Sequence, residues 1–259
     1  MLRPRIIPCL LVKNKGLVKT VNFGESKYVG DPINAVKIFN EKEADELIVL
    51  DIDATVNNQL PDFSMIQKLA AECRMPLCYG GGVKTTEQAN RIISLGVEKV
   101  AISSAAIDNP KLIAEIAKEV GNQSVVVVID VKKNFIGKYE VYTHNAKINS
   151  KKNPIELAKQ AEEFGAGEIV FNSIDLDGKM KGYDINLAVN LRKSVNIPIS
   201  ILGGAGSLTD ISELIEACGI IGAAAGSLFV FKGPYKAVLI NYPEQTKKDE
   251  VCSLVKSNK

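Results

Sequence analysis

Residues 76–104 read PLCYGGGVKTTEQANRIISLGVEKVAISS, and residues 198–227 read PISILGGAGSLTDISELIEACGIIGAAAGS. Pro76 and Pro198, Gly81 and Gly203, and Gly82 and Gly204 are each 122 residues apart, and both stretches close on a run of small residues. The same offset relates Glu46-Leu-Ile-Val-Leu-Asp-Ile-Asp53 to Glu168-Ile-Val-Phe-Asn-Ser-Ile-Asp175. Half of the chain is a duplicate of the other half, and each half ends in Gly-rich turns suited to an anion. Two such turns facing one another suit a ligand with a phosphate at each end.

Around these stretches, short β-branched runs alternate with helical patterns. Strands are expected near Arg5–Val12, Glu46–Asp53, Leu77–Tyr79, Lys99–Ser103, Ser124–Asp130, Glu168–Ile174, Ile199–Leu202 and Ile220–Ala224. Several are apolar on both faces, as parallel strands covered by helices are. Helices are expected over stretches such as Asp31–Asn40, Thr86–Leu95, Asn109–Val120, Asn153–Phe164, Ile185–Ser194 and Thr209–Cys218. Eight strand–helix units with an internal half-repeat predict one α/β domain, a (β/α)8 TIM barrel of two (β/α)4 halves, about 1–122 and 123–245. A doubly wound open sheet is the alternative, and it accounts for the repeat less simply. Two connections are long. Lys13–Gly30 follows the first strand, and Val131–Asn153 follows the fifth and carries an alternating Lys-Tyr-Glu-Val-Tyr-Thr that reads as a hairpin. In a barrel both lie over the catalytic face and can serve as lids. The tail from Pro243 is polar apart from Val251–Val255 and reads as a last helix or a frayed end.

Composition bounds the function. With 259 residues and 46% apolar content, the chain can bury one large core. A net charge of only +2 argues against a nucleic-acid surface driven by phosphate neutralisation. No apolar run is long enough to span a membrane, and the N-terminus has no continuous hydrophobic region. Five scattered cysteines without a CxxC fit reduced thiols in a cytoplasmic protein. His144 is the only histidine, which excludes a multi-His metal centre, and its polar surroundings suggest a surface hairpin. No spacing calls for a metal or another cofactor.

The chemistry-bearing residues gather at predicted strand ends. Gly80-Gly81-Gly82 with Ser103-Ser104 form one anion grip, because glycine admits close backbone approach and N–H groups with hydroxyls supply donors. Gly203-Gly204-Ala205-Gly206 with Gly226-Ser227 form the second, at the strands where barrels of this kind hold phosphate. Carboxylates follow the strands at Asp51, Asp53, Asp130, Asp175 and Asp177. Asp130 ends the run Val125-Val-Val-Val-Ile and is a candidate general acid or base at the barrel mouth. Asp177, before Gly178, can orient a phosphate turn or substrate hydroxyls. Lys19, in the first lid, is a candidate phosphate cation. At the opposite strand ends, Arg5, Glu46, Lys99 and Glu168 read either as a structural ring of alternating charge or as a gate for a small neutral molecule.

Arg5-Ile-Ile-Pro-Cys-Leu, Gly30-Asp-Pro, Asp45-Glu-Leu, Gly80-Gly-Gly, Gly165-Ala-Gly-Glu-Ile, Ser173-Ile-Asp-Leu-Asp-Gly, Gly182-Tyr-Asp and Gly203-Gly-Ala-Gly together resemble the cyclase subunit of imidazole glycerol phosphate synthase, the HisF family, from Arg5 to about Phe231. The resemblance implies a HisH-like glutaminase docked at the barrel floor. It implies ammonia passing through the barrel to a doubly phosphorylated ribonucleotide, which is cyclised and cleaved. It implies that Arg5, Glu46, Lys99 and Glu168 form the ammonia gate. Gly82, Ser103 and Ser104 would hold one phosphate, and Asp177, Gly178, Gly204, Gly226 and Ser227 the other, with Lys19 matching the family's lid lysine.

One position departs from the family. Its acid–base pair of aspartates lies on strands 1 and 5. Asp130 supplies the second, but the first falls on Leu11 with no gap in the flanking residues. Leucine cannot move a proton, and losing one positioned acid–base group costs about 10²–10⁴ in rate. Ser103 and Gly226, where the family commonly has Asn and Ala, are milder changes. Two readings remain open. One is a HisF-type cyclase of histidine biosynthesis. The other is a HisF-like conduit that docks a glutaminase and passes ammonia to a third protein. The chain is similar to a HisF-like sub-branch with Leu-Leu-Val-Lys after Pro-Cys, which is linked to acetamidino groups on surface sugars. The sister isomerase, HisA, is disfavoured by the intact floor ring.

Overall fold

A computed structural model describes residues 3–255. Eight parallel strands close into a barrel: β1 (Arg5–Lys13), β2 (Leu47–Asp51), β3 (Leu77–Gly80), β4 (Lys99–Ile102), β5 (Val125–Lys133), β6 (Glu168–Ser173), β7 (Ile199–Leu202) and β8 (Gly222–Ala225). Each pairs with the next, and β8 returns to β1 with Gly222 beside Arg5. The expected (β/α)8 barrel is therefore borne out, and an open sheet is excluded.

The helices outside the strands are α1 (Pro32–Glu41), α2 (Phe63–Glu72), α3 (Thr86–Ser94), α4 (Lys111–Val120), α5 (Pro154–Glu163), α6 (Ile185–Ser194), α7 (Leu208–Cys218) and α8 (Gln245–Cys252). Local chemistry sets their starts. Asp31, Asp62, Asn153 and Asp184 each accept a hydrogen bond from the first turn of the helix they precede. Thr85 and Ser207, at equivalent places in the two repeats, each close a capping box. Helix α2 was not among the stretches singled out from sequence. Its apolar stripe is thin, with only Met65, Ile66 and Leu69 buried.

Two features add to the sequence reading. The first long connection carries strands of its own. Gly16–Lys19 and Lys27–Gly30 form an antiparallel extension of β1, with Leu11 beside Val18. Of the two forms expected for the tail, the last helix is the one observed. Helix α8 packs against α7 and completes the outer ring, burying Lys248, Val251 and Cys252. Lys248 is 2% exposed; its Nζ donates to Glu43 O at 2.6 Å and lies 3.3 Å from Asp45. Met1, Leu2 and residues 256–259 lie outside the described residues.

Strand alternation builds two cores. One fills the space between strands and helices, with Ile6, Leu10, Phe39, Leu47 and Phe171 among its fully buried members. The other fills the barrel: Ile7, Cys9, Ile48, Cys78, Ala101, Val126, Val128, Val170, Leu202 and Ala224, with Leu11 and Leu50 packed above. Along each strand every second residue points inward. Inward residues thus form storeys from the floor to the mouth.

Candidate functional site

The lowest storey carries charge. Lys99 Nζ lies 2.7 Å from both Glu46 Oε1 and Glu168 Oε2, and Arg5 Nη2 lies 2.8 Å from Glu168 Oε1. Arg5 Nη1 also donates to Glu46. The four side chains predicted from strand starts thus close one ring across the barrel floor. Burial opposes the charges, but the opposite charges outweigh it. Glu168 is held well below the usual carboxylate range by Arg5 and Lys99, and both cations are held above theirs. Sequence reading missed a fifth member. Ser200 on β7 is fully buried, and its hydroxyl donates to Glu168 Oε1 at 2.6 Å.

At the other end of the strands lies a cavity of 620 Å³, within the range of small-molecule sites. Its walls include the residues of both predicted anion grips. Gly82 and Gly204 have φ of +73° and +113°, where a side chain is strained, and a Cβ would come within 2.8 Å of Gln59 O or 2.1 Å of Gly182 O. Glycine is required at both places for the chain to pass so closely. Ser103 and Ser104 lie at the start of the short helix Ser104–Asp108, and Ser103 Oγ is buried with no partner within the protein. Gly226 and Ser227 open the short helix Ser227–Val230 half a barrel away. Gly178 lines the same wall. The two halves therefore present similar donor sets on opposite sides of one space.

Asp130 stands between them. Burial pushes its carboxyl up to about 7; an Asn172 Nδ2 hydrogen bond at 3.0 Å works in the opposite direction, and nearby Asp177 adds to the rise. The storey facing it holds Leu11 and Leu50, so no second carboxylate meets Asp130 from β1. The other strand-end aspartates have local work. Asp51 accepts from the N–H groups of Asp53 and Ala54, Asp53 lies 3.7 Å from Lys13 Nζ, and Asp175 accepts from Lys133 N.

The lids close the mouth. Asp177 holds the first one down: it accepts from Thr20 Oγ1 at 2.7 Å and from Phe23 N at 3.3 Å, while its carbonyl accepts from Asn22 N. Lys19 reaches into the barrel rather than outward. Its Nζ donates to Cys9 O at 2.6 Å, and burial lowers its pKa against the pull of Cys9 and Asp177. Gly226 makes room, since a Cβ there would stand 2.4 Å from Lys19 Nζ. The second lid is the expected hairpin, Tyr139–Thr143 running antiparallel to β5. It corrects the surface reading of His144, which is partly buried and lines the cavity with Asn145 and Lys147. Asn145 Nδ2 donates to Ile52 O at 2.7 Å and fixes the turn over the mouth. The polar position of Asn172 was also missed, because only barrel register shows that it points inward.

Among the described residues, no three His, Cys, Asp or Glu side chains come together as a metal site, and no helix is long and apolar enough to cross a membrane. The five cysteines are unpaired; Cys9, Cys78 and Cys252 are buried.

Comparison with known proteins follows the same lines. The family described as "Histidine biosynthesis protein" matches residues 5–236. The Vibrio vulnificus (strain YJ016) protein named "Putative imidazole glycerol phosphate synthase subunit hisF3" is 56% identical over 98% of each chain. The Leptospira borgpetersenii protein named "Putative imidazole glycerol phosphate synthase subunit HisF" is 58% identical over 96% of this chain and 98% of its own. The Lactococcus lactis subsp. cremoris (strain SK11) "Imidazole glycerol phosphate synthase subunit HisF" is 43% identical over 88% of this chain and 89% of its own. With the family matched over nearly the whole barrel and relatives this similar, the chain belongs to the histidine biosynthesis protein family and, within it, to HisF.

Proposed function

We propose that this chain is a cytoplasmic HisF-like synthase subunit. A HisH-type glutaminase docks on its floor, ammonia rises through the barrel, and a bisphosphorylated ligand spans the two grips. One observation carries the reading: a fully paired charged ring lies beneath an aliphatic interior, which opens into a cavity where β1 offers Leu11 instead of a proton-transfer group. The gate and interior suit a small neutral molecule. The mouth lacks one half of the acid–base pair. Ammonia delivered here is consumed on a third protein, in the amidination of a surface sugar. The sequence likeness to the acetamidino-linked sub-branch supports that acceptor class.

The second reading, a genuine cyclase of histidine biosynthesis, draws on Asp130. A carboxyl near pH 7 is suited to proton transfer, and both grips are present. The deciding experiment is turnover of the family's bisphosphorylated ribonucleotide by the purified chain with excess ammonium salt, which removes any need for the glutaminase. The conduit reading expects binding without turnover. Turnover near the level of a HisF cyclase refutes it. The Leu11→Asp variant then asks whether proton transfer is the only missing part; a gain of about 10²-fold or more says that it is.

A further inference from the structure

Strand β6 sends three residues into the barrel at successive heights. Glu168 belongs to the floor ring, Val170 to the aliphatic interior and Asn172 to the cavity wall. From first to last the strand climbs about 13 Å. Whatever rises past Glu168 and Val170 meets Asn172 next.

Asn172 is 5% exposed, and half of its amide is unused. Nδ2 donates to Asp130 Oδ1, while Oδ1 has no partner within the protein. An ionised Asp130 can only accept, so it takes the NH₂ end and turns the carbonyl end away from itself. A Cβ on Gly203 would crowd that oxygen at 3.2 Å; glycine leaves it uncovered. A buried acceptor left unpaired is costly, so the working protein has reason to supply a donor. The cross-strand neighbours of Asn172 are Asp130 and Leu202, and above about pH 7, where Asp130 is ionised, neither can donate. The site therefore offers acceptors alone. Ammonia, with three N–H donors and one lone pair, suits it better than water, which has two lone pairs to satisfy.

We propose that Asn172 receives ammonia at the top of the barrel: Oδ1 accepts one N–H, Asp130 accepts another, and the lone pair is left facing the cavity. Asn172 is a positioning residue, and the inference rests on the ammonia reading given above. It adds a docking point between gate and acceptor, whichever molecule the acceptor is.

The test uses the full chain labelled with ¹³C at aspartate carboxyls. Ammonium chloride is titrated against potassium chloride at matched ionic strength, and the Asp130 resonance, assigned with Asp130→Asn, is followed. Between about pH 8 and 9, where Asp130 is ionised, the native chain is expected to show a saturable response that follows free ammonia rather than total ammonium, and none to potassium; a response that follows total ammonium overturns the proposal. Asn172→Leu, nearly the same size, should weaken it about fivefold or more. Asn172→Gln, which keeps both the amide donor to Asp130 and the acceptor, should retain more of it than Asn172→Leu. The proposal is overturned by no ammonia-specific response in the native chain, by an undiminished response in Asn172→Leu, or by Asn172→Gln losing as much as Asn172→Leu. Because ammonium enters from bulk solution, these outcomes do not depend on a route through the floor. That route fails separately, if sealing the ring leaves glutamine-driven supply unchanged.

Discussion

Glu168→Gln removes one negative charge from the floor ring and little else. Glu168 is 4% exposed and accepts from Arg5 at 2.8 Å, Lys99 at 2.7 Å and Ser200 at 2.6 Å. After substitution Arg5 and Lys99 share Glu46 alone, and the ring carries one uncompensated positive charge. Breaking a buried ion pair by removing one partner costs 3–5 kcal/mol. Glutamine keeps one acceptor, and Arg5 and Lys99 are partly exposed, so the lower end applies, about 3 kcal/mol. For a chain of this size that is a fall in melting temperature of roughly 6–10 °C. The pH dependence supplies the check. The folded-state pKa of Glu168 is depressed, so its stabilisation is complete above the unfolded value of about 4.3 and is lost as pH falls from there toward the folded value. Thermal unfolding of both proteins at pH 7 and pH 3 should therefore show a wide gap at neutral pH that narrows in acid. A gap that is absent at pH 7, or that stays constant to pH 3, refutes the view that the ring's charges hold the floor together.

Other perturbations discriminate between neighbouring features. Asp130 has a raised pKa when folded, so stability should fall as pH rises from about 4 to 7 and level off above; Asp130→Asn should flatten that slope in denaturant titrations. Gly226→Ala pushes against the movable end of Lys19, so its stability cost should stay below about 1 kcal/mol, while proteolysis of the first lid should quicken. Gly222→Ala places its Cβ 1.9 Å from Ser200 Oγ and 3.0 Å from Ile7 Cδ1, both locked inside the barrel, and should cost about 1–3 kcal/mol. Pairing it with Ser200→Ala should recover part of that loss in a double-mutant cycle; a purely additive result would mean that the clash lies elsewhere.

Much of the architecture was legible because the duplication marks corresponding turns. Once Gly82 and Gly204 are matched, strand ends and helix caps follow, and the charged residues opening β1, β2, β4 and β6 fall at one level. What escaped depends on three-dimensional register. Ser200 and Asn172 look like ordinary polar residues in strands until pairing shows them facing inward beside Glu168 and Asp130. The lid strand Gly16–Lys19 is only four residues long, and its antiparallel pairing with β1 is a long-range choice that local pattern does not record. Lys248 sits in a polar sequence, yet its partners, Glu43 and Asp45, lie near the other end of the chain.

That last helix has a consequence for the surface at the barrel floor. Tyr242 donates to Ile6 O, Lys248 to Glu43 O, and Cys252 to Pro4 O, so a late segment of the chain fastens an early one. Asp45, held by Lys248, immediately precedes Glu46 of the floor ring. The lower edge of the first strand is thus covered by residues some two hundred positions later in the chain. The floor is a surface that only the closed barrel presents, because both its rim and the helix that braces it come from sequence-distant segments.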